Sequence, residues 1–138
     1  MIPTKEYIEA KFNEYNAQYF DGQLPLLPIK LSHARTFLGK VCFTKRRQWL
    51  FGPYQYSNFV LRINTRLDLP EALVEDTILH EMIHYYIAYN QWHDTSAHGR
   101  LFRREMKRIN EKGGRHITIS YRLNAEQIAQ LRASYQSK

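Results

Sequence analysis

Residues 80 to 84 of this 138-residue sequence read His80-Glu81-Met82-Ile83-His84, the H-E-x-x-H arrangement that sets two imidazoles and a carboxylate on one helical turn. Two histidines four positions apart on a helix differ by about 40° in azimuth and about 6 Å in rise, so their ring nitrogens can converge on one tetrahedral cation. Glu81, about 100° round from His80, suits a base beside the metal. It would take a proton from a zinc-bound water of pKa about 7 while the ion polarises the peptide carbonyl under attack. Leu73, Val74, Ile78, Leu79, Met82, Ile83, Tyr86 and Ile87 cover most of the same helix, which predicts burial on several sides. Three ionisable groups in that setting each carry a desolvation cost of the order of kcal/mol unless a metal or partner satisfies them.

A catalytic zinc keeps three protein ligands and one open position, so a third ligand is required. The metzincin spacing asks for a histidine at position 90, where Asn90 stands. His93, His98 and Glu105 remain. Glu105 follows His84 at the distance where thermolysin-like enzymes supply a glutamate from the next helix. His98, Phe102, Glu105, Met106 and Ile109 share one inward stripe, so periodicity leaves the choice between His98 and Glu105 open. Tyr85, Tyr89, His93, Arg115, His116 and Tyr121 are all conceivable oxyanion donors.

The elements that must position these groups follow from capping and periodicity. Thr4 caps a first helix with Ile8, Phe12, Tyr15 and Tyr19 at helical spacing, stopped at Asp21-Gly22. Between Pro28 and Asp68 the period becomes two, through Ile29 and Leu31, Phe37, Val41 and Phe43, then Phe59, Leu61 and Ile63. This predicts three or four short antiparallel-capable strands. Lys45-Arg46-Arg47 reads as a hairpin tip leading into Trp49-Leu50-Phe51. The central helix runs from Leu69-Pro70 to Tyr89, with Pro70 in its first turn. A third helix is capped by Thr95 or Ser96 and ended by Lys112-Gly113-Gly114. Ile117 and Ile119 suggest a short strand, and Asn124 with Gln127 a capping box for a last helix. The class is α+β, a small sheet packed beside the central H-E-x-x-H helix.

Composition narrows the classes further. With 43% hydrophobic, 14% aromatic and 24% charged residues, wholesale disorder, collagen-like and coiled-coil chains are excluded. The length predicts one domain, residues 1–138. No apolar run reaches a membrane span and the opening residues lack a signal pattern, so a soluble cytoplasmic protein without membrane contact is expected. Cys42 alone builds neither a disulfide framework nor a Cys-rich zinc ribbon. Residues 1–90 carry 10 Lys+Arg against 9 Asp+Glu, and residues 91–138 carry 10 against 4. The basic last third points to an anionic partner, nucleic acid first. Arg100, Arg103, Arg104, Lys107 and Arg108 lie within about 140° of azimuth on the third helix, a stripe able to follow a phosphate backbone. Lys45, Arg46 and Arg47 are the other candidate contacts. Trp49, Phe51, Tyr54, Tyr56 and Trp92 could stack on bases if exposed, but most are expected in the core.

His80-Glu-Met-Ile-His84 followed by His98-Gly99-x-x-Phe102-x-x-x-Met106-x-x-Ile109-Asn110 resembles the metalloprotease domain of the SprT and Spartan family. Phe12-Asn13 with Tyr19-Phe20-Asp21-Gly22-Gln23-Leu24 is similar to that family's first helix and exit, and the likeness covers roughly residues 5–120, leaving 121–138 as a C-terminal helix. The resemblance implies a zincin-like domain in which His80, His84 and His98 bind one zinc ion and Glu81 is the catalytic acid/base. It further implies cleavage of DNA-bound or DNA-crosslinked proteins, switched on by DNA and with low sequence preference, with DNA, single-stranded or in a DNA-protein crosslink, as partner and hence a nucleoid-associated location. The competing readings are a nucleic-acid-binding module with a structural or vestigial zinc site and an ImmA-like H-E-x-x-H regulatory protease.

Overall fold

In the computed structural model of the chain, residues 1–119 and 125–136 are described. Four helices and a three-stranded sheet follow one another as α1 (Lys5–Tyr19), β1 (Ile29–Ser32), β2 (Gly39–Arg46), β3 (Gln55–Asn64), α2 (Glu71–Tyr89), α3 (Arg100–Gly113) and α4 (Ala125–Gln136). The architecture is the expected α+β, with α2 at its centre against β2, β3 and the other three helices. No described helix is long and apolar enough to cross a membrane.

Local chemistry accounts for most boundaries. The Thr4 side chain accepts from the Tyr7 N–H at 3.1 Å to start α1. After α1, Asp21 and Gly22 take the left-handed backbone at φ 53° and 68°, and the Gly22 N–H donates to the Asn16 carbonyl at 2.9 Å. The Asn16 amide then holds Leu24 through both its N–H and its carbonyl, turning the chain towards the sheet. Pro70 sits at the N-cap of α2, one position ahead of the first turn, and its carbonyl accepts from Leu73 and Val74. From Leu73 to Ala88 most of α2 is buried, including Asp76, Thr77, His80 and Glu81.

The strand order is β1-β3-β2. β2 pairs with β3 antiparallel, whereas β1 pairs with β3 parallel. Of the strands read as antiparallel-capable, only β2 and β3 pair that way: β2 leaves β1 and pairs on the far side of β3, so β3 returns in the direction of β1. On the inward face Leu61 stands opposite both Ile29 and Val41. Leu61, Ile63 and Ile29 join the core with Phe12, Leu79, Met82 and Phe102. A register shift between Cys42 and Thr44 is absorbed by Asn58 at φ 55°, a conformation in which Asn is tolerated.

Three further expectations change. β2 runs on through Lys45 and Arg46, so the hairpin turn lies at Trp49 to Gly52, closed by the Gly52 N–H on the Trp49 carbonyl. Trp49 and Phe51, expected in the core, are 61% and 91% exposed, because they occupy that turn and nothing in the described structure covers it. Ile117 and Ile119 form no strand; the Ile117 N–H and carbonyl bond instead to the side chain of Asn110. α4 is present, while its expected cap Asn124 lies outside the described residues.

Candidate metal centre

The buried middle of α2 turns His80 and His84 towards the N-terminal end of α3. There the third-helix expectation needs correction. The helix starts at Arg100 behind Gly99, and neither Thr95 nor Ser96 caps it. Asp94 does so from a distance: its carboxylate accepts from the N–H groups of Thr95 at 2.8 Å, Leu101 at 3.2 Å and Phe102 at 2.9 Å. A cap reaching over seven or eight residues leaves no mark at the position where capping patterns are read. His98 consequently lies in the turn ahead of α3 and not on it. Gly99 permits the tight approach, since a Cβ there would stand 2.4 Å from the Asp94 Oδ1 and 2.5 Å from the Thr95 Oγ1.

Asp94→Ala removes three acceptor contacts at once and is expected to cost about 1–2 kcal/mol. The same change frees the turn that presents His98, so metal affinity should drop with stability. Denaturant unfolding and metal titration of the variant measure both. Unchanged metal affinity would show that His98 is held by other means.

The ligating atoms of His80, His84 and His98 lie within 4.8 Å of one another. His98 Nε2 is 3.2 Å from the Nε2 of His80 and 3.2 Å from that of His84. Nitrogens about 2.0–2.1 Å from a tetrahedral ion stand about 3.3–3.4 Å apart, so this spacing fits a small metal ion. The tautomer of His80 agrees, because its Nδ1 donates to the Thr118 carbonyl at 2.8 Å and leaves the Nε2 lone pair facing inward. Two neighbours at 3.2 Å from one His98 nitrogen cannot both be served by a single proton. A cation at the common point serves all three. Phe102 backs the cluster, its ring centroid 4.8, 4.5 and 4.8 Å from those of His80, His84 and His98.

Burial lowers His80 to about 4 and His84 to about 3, with the neighbouring imidazoles adding to the effect. His98 is lowered by burial and by Arg103. The ligand set is thus neutral at pH 7, as metal binding requires. Burial raises Glu81 to about 8, opposed by the Val41 N–H that bonds to it. The 3.8 Å approach of His80 Nε2 to Glu81 is accordingly no ion pair at neutral pH. β2 closes tightly over this carboxyl at Gly39, where a Cβ would lie 2.8 Å from the Glu81 Cγ.

These three groups set a pH profile for the metal-free protein. The stability that His80 and His84 contribute is present above about 6.5 and is lost as pH falls towards their folded values near 4 and 3. Glu81 acts in the opposite sense, because its folded value near 8 lies above the usual 4.5: its contribution is present below 4.5 and is lost as pH rises to 8. Chelator-treated protein should therefore lose thermal stability between pH 6.5 and 8 relative to Glu81→Gln, and between pH 6.5 and 5 relative to its own value at 6.5. Parallel Tm profiles of the two proteins above pH 6.5 would rule out a neutral buried Glu81.

The remaining candidates disperse. Glu105 is buried but faces Arg104 at 3.4 Å and Arg108 at 3.3 Å, away from the three imidazoles. His93 meets the Tyr56 hydroxyl at 2.9 Å. Among the proposed oxyanion donors, Tyr85 bonds to the Pro25 carbonyl, Arg115 lies against Glu75 and Asp76, and His116 packs on the Tyr135 ring. Tyr121 is outside the described residues. None of the five described candidates lines the cavity of about 620 Å³ that opens over the three histidines; Lys40, Lys45, Tyr56, Trp92 and Ser96 do. The α3 cations are exposed or half-buried, but Arg104 and Arg108 share Glu105, and Arg103 donates to the His98 carbonyl at 3.0 Å. No sequence pattern marks Thr118, Asp94 or Val41, since their part in the site is played by backbone groups or by reach across a turn.

A family model described as the SprT-like family matches residues 8–126. The DNA-dependent metalloprotease SPRTN of Rattus norvegicus is 33% identical over 125 residues, 90% of this chain and 24% of that protein. The human protein of the same name gives the same figures. The DNA-dependent metalloprotease dvc-1 of Caenorhabditis elegans is 33% identical over 122 residues, 86% of this chain and 32% of that protein. The chain thus spans about a quarter to a third of the length of these relatives.

Proposed function

The chain belongs to the SprT-like family, and from that premise we propose that it is a zincin-like zinc endopeptidase cleaving DNA-bound or DNA-crosslinked proteins. The observation that carries this reading is the convergence of His80, His84 and His98 beneath an open cavity, with Glu81 beside them. His80, His84 and His98 would hold one zinc ion, which when bound would supply a Lewis acid able to lower the pKa of water to about 7 and polarise the scissile carbonyl.

The chain's own residues do the rest. Glu81, fixed by the Val41 N–H, accepts the proton released as water attacks and returns it to the leaving amine. Burial raises its carboxyl in the metal-free protein, and a dication bound beside it would favour the carboxylate that a base requires. His80 is locked in one tautomer by Thr118, and Phe102 keeps the rings packed and water away from their inner side. Among the described residues β2 is an edge strand of the sheet and borders the cavity, so an extended segment of substrate can lie along it. Recognition through backbone and through the apolar walls at Phe37, Val41, Phe43 and Ile87 favours low sequence preference. A structural metal site closes its fourth position, whereas this one opens on a cavity, which supports catalysis over a purely binding module.

Metal analysis followed by an assay on a DNA-bound protein, with and without single-stranded DNA and with and without chelator, tests the proposal. The expected result is about one zinc per chain and cleavage that chelation abolishes. A zinc-loaded protein without proteolysis under every DNA condition would shift the reading to a nucleic-acid-binding module.

A further inference from the structure

Among the described residues, α2 packs against β2 and β3 on one side of the sheet and no other helix covers the opposite side of these strands. On the outward face Lys30 stands opposite Arg62, and Arg62 opposite Lys40, so three cations form a row across all the strands. Like charges in opposed cross-strand positions destabilise a sheet. The surrounding sequence supplies no acid to offset them: residues 22–67 contain eight Lys+Arg and no Asp or Glu. None of those eight makes an ion pair among the described residues. The basic last third of the chain, by contrast, includes its own acids, and Glu105 already serves two of the α3 arginines.

The same outward face continues along β2 through Cys42, Thr44 and Arg46, opposite Val60, Ser57 and Gln55, small or polar neighbours that raise no wall. It ends at the hairpin turn, where Trp49, Leu50 and Phe51 are 61%, 70% and 91% exposed. Behind the turn Lys45 and Arg47 crowd a single ring, with Nζ and the guanidinium carbon 4.2 and 4.6 Å from the Tyr54 centroid. An uncompensated cationic track that ends in exposed aromatic faces matches a polymer with regularly spaced anions and flat apolar faces. Six residues of strand separate Lys40 from Arg46, about 20 Å, room for several nucleotides.

We propose that the outward face of the sheet and the β2–β3 turn form a docking surface for single-stranded DNA, with phosphates on Lys30, Arg62, Lys40 and Arg46 and bases on Trp49 and Phe51. The choice of DNA rests on the function proposed above; the location rests on the sheet. Lys40 also borders the metal cavity, so a strand on this track delivers an attached protein to the edge of the site. Duplex DNA offers no free base faces to the turn. A bilayer fits poorly, because insertion of the turn by about 5–10 Å leaves the Lys30–Arg62–Lys40 row remote from the headgroups.

The test is fluorescence anisotropy of a labelled oligothymidylate with the full chain across a salt series. Lys40→Gln with Arg62→Gln should lower the salt slope by about 1.4, two phosphate contacts at about 0.7 each, while Tm stays level or rises as the row is relieved. Trp49→Ala with Phe51→Ala should weaken binding about tenfold or more at unchanged slope. Arg100→Gln with Lys107→Gln, on α3, should change neither. DNA binding that survives both sheet pairs and fails in the α3 pair overturns this surface while leaving the proposed function standing. Equal affinity for duplex, or binding to phosphatidylserine vesicles in place of the oligonucleotide, also overturns it. Wild-type protein that binds no oligonucleotide removes this surface and the DNA partner together, whereas chelator-sensitive cleavage of an unfolded protein substrate without DNA would still leave the metal-dependent endopeptidase standing.

Discussion

Glu81→Gln is expected to lower proteolysis by about 10²–10⁴-fold while metal content and fold are retained. The amide has the shape of the carboxyl, and its carbonyl oxygen can still accept from the Val41 N–H that anchors Glu81. What it loses is the capacity to take up a proton. The three imidazoles are untouched, so the variant separates binding of the metal from use of it. Burial makes the substitution easy on the fold, because the group is neutral at pH 7 in the metal-free protein. Cleavage at the wild-type rate by a metal-loaded Glu81→Gln protein would exclude this residue as the base and return the search to the other groups along the cavity.

His98→Ala should cost more than about 100-fold in metal affinity, exceeding the usual cost of losing an outer hydrogen-bond partner, and should abolish cleavage. Glu105→Ala makes the counterpart. Its carboxylate is buried and paired with Arg104 and Arg108, so its removal should lower Tm and leave the metal in place. The two variants are therefore expected to move opposite readouts, affinity for one and stability for the other. Metal retained by His98→Ala and lost by Glu105→Ala would assign the third ligand to the α3 glutamate, the thermolysin-like arrangement.

The helical part of the fold was legible in the sequence because its signals are local. Thr4 and Gly22 bracket α1, and Pro70 and Asn90 bracket α2 within a residue or two. H-E-x-x-H fixes the relation of His80, Glu81 and His84 through helix geometry alone, whatever the rest of the chain does. The period-two segments between Pro28 and Asp68 became β1, β2 and β3. Strand direction was not legible, because alternation marks which face a residue takes and says nothing of its neighbour's direction.

Beyond these local relations the sequence was silent or misleading. The acid-free stretch from 22 to 67 does not show in the near-neutral balance of residues 1–90, because the acids on either side of it cancel its eight cations. Hydrophobic content placed Trp49 and Phe51 in the core, yet a turn projecting beyond the last ladder pair has nothing to bury them against. By itself the sequence determined the α+β class and the pair of histidines with its glutamate, which depend on contacts within one helical turn or between adjacent residues. Only the tertiary structure decided that His98 comes to that pair and Glu105 goes to its arginines. That choice hangs on Asp94 reaching over the turn to α3 and on Thr118 returning a carbonyl to His80, bonds between groups far apart along the chain whose cost in chain entropy is met by the whole core and recorded in no single stretch of residues.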